Sequence, residues 1–586
     1  MMRYERQGDT SDQSRRRVRV VVFCLLLFVS AIATRLFQLQ ILDHRRWAAR
    51  AEGQQEQERS LFPARGNIFI HDDRAENGLY PLAMNRTLYF LYAVPKEVKD
   101  PRRTARLIAP LLAMDEEVLL TKLEKPDDPW EALSHRVDES TAKGISALAL
   151  PGIRELEEPA RYYPEKNNAS HVLGFVRFDG EKGSGQYGLE GYFNTLLSGK
   201  EGRLQSVHDA RGEAVEGFGG VLQPAENGAD LVLTIDRNIQ FFACDALHTA
   251  VQTHGASGGT VVVMDPKTGA IRAMCSAPDF DPNNYQDTKD ASAFNNPAIF
   301  LDYEPGSIFK PITIAAAIET GAVTPETTYD DKGFVQLGVH TIRNSDGKKN
   351  GVQTMVQVLD KSLNTGAVFA VRKMEKEVFR QFVENFGFGK PTGITLAAEV
   401  SGDTRSLSKR GEIYTATASF GQGITATPLQ MVASYGALAN RGMLMKPYLV
   451  EEIRYPDGRV EKKTPTEVRR VVSEKTATLV SGMLVSVVRE GHGKRADVPG
   501  YTVAGKTGTA QIARRDGPGY EVGANIGSFV GYAPIEDPRF VIIAKIDRPK
   551  DVQFAESSAA PLFGTIAKFL LEYYKVAPSD GASVTP

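Results

Sequence analysis

Cysteine is nearly missing from this sequence: Cys24, Cys244 and Cys275 are the three among 586 residues. Three thiols cannot build a disulfide-stapled scaffold, and an odd number leaves at least one outside any internal pair. Cys24 falls in an apolar N-terminal run. Cys244 and Cys275 fall in strong helix and strand patterns, where they read as buried thiols rather than as a disulfide. Histidine is also scarce, at nine, with no H-x-x-H, H-E-x-x-H or C-x-x-C pair, so neither a metal centre nor any other cofactor is called for. No charge of one sign dominates: 70 Lys+Arg against 72 Asp+Glu give a net charge of -2. A dedicated nucleic-acid binder usually shows a basic surplus. Beyond the N-terminus no apolar run approaches the ~20 residues that span a bilayer, which excludes a polytopic transporter. With 42% hydrophobic and 24% charged residues, the chain is neither disordered nor collagen-like.

What is present begins with an asymmetric N-terminus. The cluster R-R-R-V-R at 15–19 precedes fifteen uncharged, mostly apolar residues from Val20 to Thr34. Arg35 interrupts, and Leu36, Phe37, Leu39, Ile41 and Leu42 continue the apolar helical pattern. This reads as a membrane anchor at 20–42, with a cytoplasmic tail at 1–19 and everything after it exported, because cationic flanks stay inside. A signal peptide cleaved at Ala31-Ile32-Ala33 is the rival. The amphipathic pattern running past that point favours the anchor.

Residues 43–60 are polar and helix-compatible, 61–95 carry β-rich pieces, 96–150 are charged and helical, and 151–225 return to glycine-rich β patterns. Leu231-Val232-Leu233-Thr234-Ile235 predicts a strand, and Asp236 can cap the helix after it. The expected organisation is a non-catalytic domain at 43–228, a second domain at 229–575 and a disordered tail at 576–586. Two β runs, 260–264 and 270–274, flank D-P-K-T-G and predict a hairpin. Helix signals fill the region to about 490, and strands return at 500–512 and 526–547.

Chemistry points to S-x-x-K, in which a lysine one helical turn after a serine can take its proton. The pattern starts at Ser140, Ser307, Ser345 and Ser406. Context favours Ser307: Pro305-Gly306 forces a turn, Lys310 follows at the right spacing, and I-T-I-A-A-A-I predicts a buried helix. S-x-N occurs once, as Ser362-Leu363-Asn364. K-T-G occurs at Lys267, inside the predicted hairpin turn, and at Lys506-Thr507-Gly508-Thr509, where a strand would present a cation and hydroxyls. The ordered triplet S-x-x-K, S-x-N, K-T-G is the motif set of serine β-lactamases and penicillin-binding proteins.

With those motifs the chain resembles the class B penicillin-binding proteins over nearly its whole length. Arg65-Gly66-Asn67-Ile68 with Leu82-Ala83, Arg161-Tyr162-Tyr163-Pro164, His171-Val172-Leu173-Gly174 and Gly188-Leu189-Glu190-Gly191 resemble motifs of that family's non-catalytic domain. Glu304 before P-G-S, F-G-F-G-K-P-T-G-I at 386–394 and Gly421-Gln422-Gly423 are most like the division-specific FtsI type. The resemblance implies a multidomain fold: an N-terminal transmembrane helix, an elongated α+β pedestal of the dimerisation type and a C-terminal α/β transpeptidase domain. It implies Ser307 as nucleophile attacking a D-Ala-D-Ala carbonyl, Lys310 as base, and Ser362 with Lys506 passing a proton to the leaving D-Ala. Asn364 would hold the substrate amide, Thr507, Gly508 and Thr509 would bind the substrate, and the N–H groups of Ser307 and Thr509 would form the oxyanion hole. The implied partners are peptidoglycan stem peptides and lipid-linked nascent glycan, β-lactam antibiotics, a SEDS-type membrane glycosyltransferase and divisome proteins. The implied location is the bacterial cytoplasmic (inner) membrane. The alternatives are a DD-carboxypeptidase, a serine β-lactamase and a non-enzymatic β-lactam sensor or scaffold. No E-x-x-x-N pattern for a class A β-lactamase lies between 365 and 450.

Overall fold

The computed structural model describes residues 10–43, 56–125, 128–179, 182–208, 214–514, 517 and 519–579. The start of the expected cytoplasmic tail (1–9), most of the polar stretch at 44–55 and the end of the C-terminal tail (580–586) lie outside them. The chain divides into two compact units, Met1–Pro63 with Lys200–Glu226, and Ala64–Gly199 with Asn227–Pro586.

In the first unit the helix Thr10–Phe37 continues as a π-helical turn over Gln38–Leu42. Its segment Arg16–Leu42 has 27 residues, and the most apolar 18-residue window within it has a mean hydropathy of 2.5 and no buried residue among the described residues. At about 1.5 Å per residue the segment exceeds the ~30 Å hydrocarbon core of a bilayer. Among the described residues it is the one helix long and apolar enough to cross a membrane. Arg35 donates to Gln38 Oε1 at 2.9 Å. The helix-compatible reading of 43–60 fails at its end, because Glu56–Leu61 is a strand. It pairs antiparallel with Gly202–His208, which also pairs with Ala214–Gln223. Pairing with a partner so distant in sequence overrides weak local helix propensity.

The second unit contains a seven-stranded sheet. Val460–Lys462, Val450–Arg454, Asp230–Asp236, Ile68–His71, Leu79–Ala93 and Glu131–Val137 are neighbours in that order, and Ile153–Tyr162 also pairs with Leu79–Ala93. Asp230–Asp236 lies parallel to Ile68–His71. This pairing joins strands from both sides of the expected boundary at 228/229. Behind the sheet, Glu190 is fully buried and accepts from Arg65 Nε and Arg161 Nε, each at 2.7 Å. Burial opposes its charge, but Arg161 and Arg65 outweigh that and hold the carboxyl below its usual pKa.

The site rests on a five-stranded antiparallel sheet: β1 (Gly258–Met264), β2 (Ile271–Ala277), β3 (Ala504–Ala513), β4 (Tyr520–Ala533) and β5 (Phe540–Asp547). Their spatial order is β2-β1-β5-β4-β3, so the sheet's first and last strands in sequence, β1 and β5, pair with each other. Every residue of β1 is buried, which explains its unbroken apolar run. Alternate side chains serve two cores. Val262 and Met264 pack with Ile308, Phe309, Ile312 and Tyr435, whereas Val261 and Val263 pack with Ile239, Leu247, Phe563 and Ile566. The second set comes from α1 (Arg237–Thr253), which Asp236 caps as expected by accepting from Asn238 N and Ile239 N, and from the C-terminal helix Ala559–Tyr573.

The reading of Cys244 and Cys275 as separate thiols is corrected. They form a disulfide with Cα atoms 5.4 Å apart, tying α1 to β2. Sequence patterns identify each position as buried, but only the packing of α1 on β2 brings the two within disulfide reach.

Candidate active site

Ser307 lies in a single 3-10 turn, Gly306–Phe309, that runs directly into α2 (Lys310–Glu319). Gly306 has φ +58°, as the Pro305-Gly306 turn requires. Three contacts fix this turn. Gly306 N donates to Gly421 O at 3.1 Å, the buried Tyr435 hydroxyl donates to Ile308 O at 2.7 Å, and Lys310 begins a helix whose first eight residues are all buried. Ser307 itself is half-exposed, and among the described residues its hydroxyl has no hydrogen-bond partner. It is therefore held by its backbone and open at its oxygen.

Lys310 and Lys506 are both fully buried. Lys310 Nζ donates to the main-chain carbonyl of Ser362 and, at 3.2 Å, to Ser362 Oγ. Lys506 Nζ donates to Ser362 Oγ at 3.1 Å, to Thr507 O at 3.1 Å and to Thr507 Oγ1 at 3.3 Å. Burial, with the nearby Lys506 charge, pushes the Lys310 amine well below the usual lysine range. Burial brings Lys506 down to about 7, and Asp360 acts in the opposite direction. Asp360 is itself raised by burial and accepts from Ser486 Oγ at 3.1 Å.

Ser362 sits at φ +55° in the turn between the helices Met355–Asp360 and α3 (Asn364–Arg372). A left-handed conformation at a non-glycine residue costs on the order of 1 kcal/mol and persists where its surroundings impose it. Here the two lysines hold the side chain. Asn364 opens α3 and donates from Nδ2 to Arg343 O at 2.9 Å. The next residue is anchored by the buried Asp331, which accepts from Thr365 Oγ1 at 2.8 Å, while Asn344 Oδ1 accepts from Thr365 N at 3.2 Å.

β3 is the edge strand of the sheet and carries Lys506, Thr507, Gly508 and Thr509. It lies flush against the Ser307 turn: a Cβ on Gly508 would meet Ile308 Cγ2 at 2.9 Å, Ile308 N at 3.0 Å and Pro305 O at 3.1 Å. Thr509 Oγ1 accepts from Ala555 N at 3.0 Å, which leaves its own proton free to donate. The letters Gly500 to Thr507 also satisfy the phosphate-loop pattern G-x-x-x-x-G-K-[ST]. Here they run into an antiparallel edge strand, not a loop leading into a helix, so they carry no nucleotide reading. The other K-T-G, at Lys267, lies in the hairpin turn between β1 and β2, where Gly269 has φ +81°.

All eight residues singled out from the motifs therefore fall on the helical turn of Ser307 and Lys310, the turn that leads into α3, and one strand. Sequence reasoning missed Tyr435 and Asp331, which have no local signature, and the partners of Glu304. That carboxylate accepts from Gly423 N at 2.8 Å and from the Tyr520 hydroxyl at 2.9 Å, and burial raises its pKa. It ties the loop below Ser307 to the β3–β4 hairpin.

The profile of the penicillin binding protein transpeptidase domain matches residues 259–568, and that of the penicillin-binding protein dimerisation domain matches residues 60–233. Stage V sporulation protein D of Bacillus subtilis is 35% identical over 571 residues, covering 96% of this chain and 86% of that protein. A peptidoglycan D,D-transpeptidase FtsI homolog of Mesostigma viride is 31% identical, covering 96% of both. Penicillin binding protein 3 from Mycobacterium tuberculosis, solved in complex with aztreonam, superposes with a TM-score of 0.67 at 27% identity, covering 89% of this chain and 98% of that one. Penicillin binding protein 2X of Streptococcus thermophilus shares the fold, with a TM-score of 0.74 at 22% identity over 89% of this chain and 80% of that one.

Proposed function

We infer the function from one premise: this chain belongs to the penicillin-binding protein transpeptidase family. It is a peptidoglycan D,D-transpeptidase. The observation that supports a serine mechanism is the meeting on Ser362 Oγ of two buried lysines, one of which, Lys310, follows Ser307 by one helical turn. A neutral Lys310 amine has two N–H donors and one lone pair. The carbonyl and hydroxyl of Ser362 take the two donors, which leaves the lone pair for the Ser307 proton.

In this reading Ser307 Oγ attacks the carbonyl of the penultimate D-Ala and its proton passes to Lys310. Both lone pairs of Ser362 Oγ are occupied by lysine donors, so its own O–H is free to protonate the departing D-Ala nitrogen. Lys506 then restores the proton to Ser362. Lys506, Thr507 and Thr509 face the terminal carboxylate, and Asn364 holds the stem-peptide amide. The N–H groups of Ser307 and Thr509 receive the oxyanion, at about 3–4 kcal/mol for each donor. The amine of a second stem then attacks the acyl carbonyl, its proton passes through Ser362 to Lys506, and Lys310 returns its proton to the departing Ser307 oxygen, which leaves the cross-link and restores every group. A β-lactam presents the same carbonyl and carboxylate and acylates Ser307.

The Arg16–Leu42 helix and the cationic cluster before it support a single-pass anchor in the cytoplasmic membrane, N-terminus inside and catalytic unit outside. Glu304 before P-G-S and relatives named FtsI homologs support a septal role, in which a SEDS-type glycosyltransferase and divisome proteins would be its partners. The test is acylation by labelled penicillin in wild type and Ser307→Ala, followed by D-Ala release from a stem pentapeptide with and without an acceptor amine. Label on wild type alone, with cross-linked product, is the expected result. A covalent adduct on Ser307→Ala would overturn the nucleophile. Product formed only with water would make the chain a DD-carboxypeptidase, turnover of penicillin within seconds a serine β-lactamase, and acylation without any product a sensor.

A further inference from the structure

A cavity of about 320 Å3 opens far from Ser307 in the chain, where the strands Leu79–Ala93, Glu131–Val137 and Ile153–Tyr162 meet the loop around Asp281. Four cations line it: Arg86, Arg136, Arg161 and Lys166. We propose that this cavity is a second ligand site, binding an oxyanion of the carboxylate or phosphate class.

The cations are not already used up by carboxylates. Among the described residues no ion pair within 4.0 Å involves Arg86, Arg136 or Lys166. The carboxylates nearby are committed elsewhere. Glu158 accepts the main-chain N–H of Arg136 at 3.0 Å and pairs with His135, and Glu165 pairs with Arg237. Asp281, which lines the cavity, accepts from the main-chain N–H and amide of Asn283 and from the amide of Asn284. Glu190 is shared between two arginines, so Arg161 and Arg65 leave one positive charge uncompensated there.

Arg161 adds a second, independent observation. Its side chain is nearly fully buried; Nε is bound to Glu190 and Nη1 to Asn85, yet Nη2 has no hydrogen-bond partner. Buried guanidinium N–H groups are rarely left unpaired, because each has given up its water without a replacement. Arg86 is held over the Tyr162 ring at 5.4 Å, which pre-orders its planar donors. Arg136 and Lys166 both stand at left-handed backbone, φ +56° and +51°. Strain at non-glycine residues gathers where a side chain must be aimed. Arginine forks suit carboxylate and phosphate alike, so the shared oxyanion chemistry is what the cavity specifies.

The test uses the full-length, detergent-solubilised protein and two probes, inorganic pyrophosphate and a stem pentapeptide with its carboxylates, titrated by calorimetry at low and at moderate salt. At least one probe is expected to bind, more weakly as salt rises. Which one binds separates a phosphate source from a carboxylate source. The double variant Arg86→Ala/Lys166→Asn alters two exposed side chains, and asparagine tolerates the backbone at 166. It should weaken binding by at least about tenfold, while labelled-penicillin acylation stays at the wild-type rate. To separate a pentapeptide bound here from one bound at Ser307, that titration is repeated on penicillin-acylated protein. Binding that the double variant leaves unchanged, binding lost on acylation, or no binding of either probe at millimolar concentration would overturn the proposal.

Discussion

Lys310 and Lys506 converge on one oxygen: Ser362 Oγ accepts from both, at 3.2 and 3.1 Å. Two ammonium groups on one buried hydroxyl would repel each other strongly, so the arrangement requires that at least one amine be neutral. This fixes how the site should respond to pH and to loss of either lysine.

The rate of β-lactam acylation should trace a bell. Its acid limb reports Lys310, whose depressed pKa lets the amine lose its proton below the usual lysine range. Its alkaline limb reports Lys506, which loses its charge as pH passes about 7 and with it the attraction for a carboxylate. Stopped-flow acylation from about pH 5 to about pH 10 checks this, and Lys506→Gln should flatten the alkaline limb. A wild-type rate that keeps climbing to about pH 10 would contradict the assignment.

Removing a buried lysine should stabilise the fold while destroying activity. Below about 7 Lys506 is protonated in both folded and unfolded chains, and the folded chain bears the full cost of a buried charge. Between about 7 and its ordinary value of 10.5 the unfolded chain keeps a proton that the folded chain has shed, so wild-type stability rises with pH through that window. Lys506→Met is therefore expected to raise the melting temperature by about 2 °C or more at about pH 6, with a smaller gain near pH 10. Calorimetry at the two pH values reads this directly. Lys310→Met should lower acylation by about a hundredfold or more, the usual worth of a general base.

Gly508→Ala tests how closely β3 lies on the Ser307 turn. The added methyl meets the main chain at Ile308 N and Pro305 O, within 3.1 Å, so one of the two segments must move. Displacements of about an ångström at reacting groups cost on the order of a hundredfold. Acylation should fall by about 10–100-fold with the circular dichroism spectrum unchanged. A wild-type rate would mean that the strand is not fixed against the turn.

The disulfide predicts a thiol count. Denatured, unreduced protein should react with one maleimide, at Cys24, and reduced protein with three. Cys244 and Cys275 are separated by 31 positions, and closing a loop of that size is worth about 3–4 kcal/mol in the chain-entropy picture. Cys244→Ser/Cys275→Ser should lower the melting temperature by several degrees and leave acylation near wild type, since neither cysteine touches Ser307.

The layout of the candidate site was legible because its motifs are local: Ser307 and Lys310 lie one turn apart, Ser362 and Asn364 two residues apart, and Lys506 to Thr509 on one strand. The hairpin of β1 and β2 and the capping of α1 by Asp236 were legible for the same reason. What stayed hidden depends on contacts between distant segments. Tyr435 reads as an ordinary apolar helix residue until its hydroxyl is seen on Ile308 O. Cys244 and Cys275 look alike whether bonded or free, and Glu56–Leu61 becomes a strand only when Gly202–His208 lies beside it. Glu190 looks like any surface acid in its glycine-rich motif, yet it is fully buried between two arginines.

The parallel pairing of Asp230–Asp236 with Ile68–His71 bears on where the chain can be cut. A catalytic fragment beginning at residue 229 would strip that strand of its neighbour and bare a row of unpaired N–H and C=O groups beside Leu231, Val232, Leu233 and Ile235. Open, apolar strand edges invite other chains to add to them. A truncation that begins ahead of Glu56 keeps this edge covered and also keeps the strand that pairs with Gly202–His208, whereas one that begins at 229 is built to aggregate.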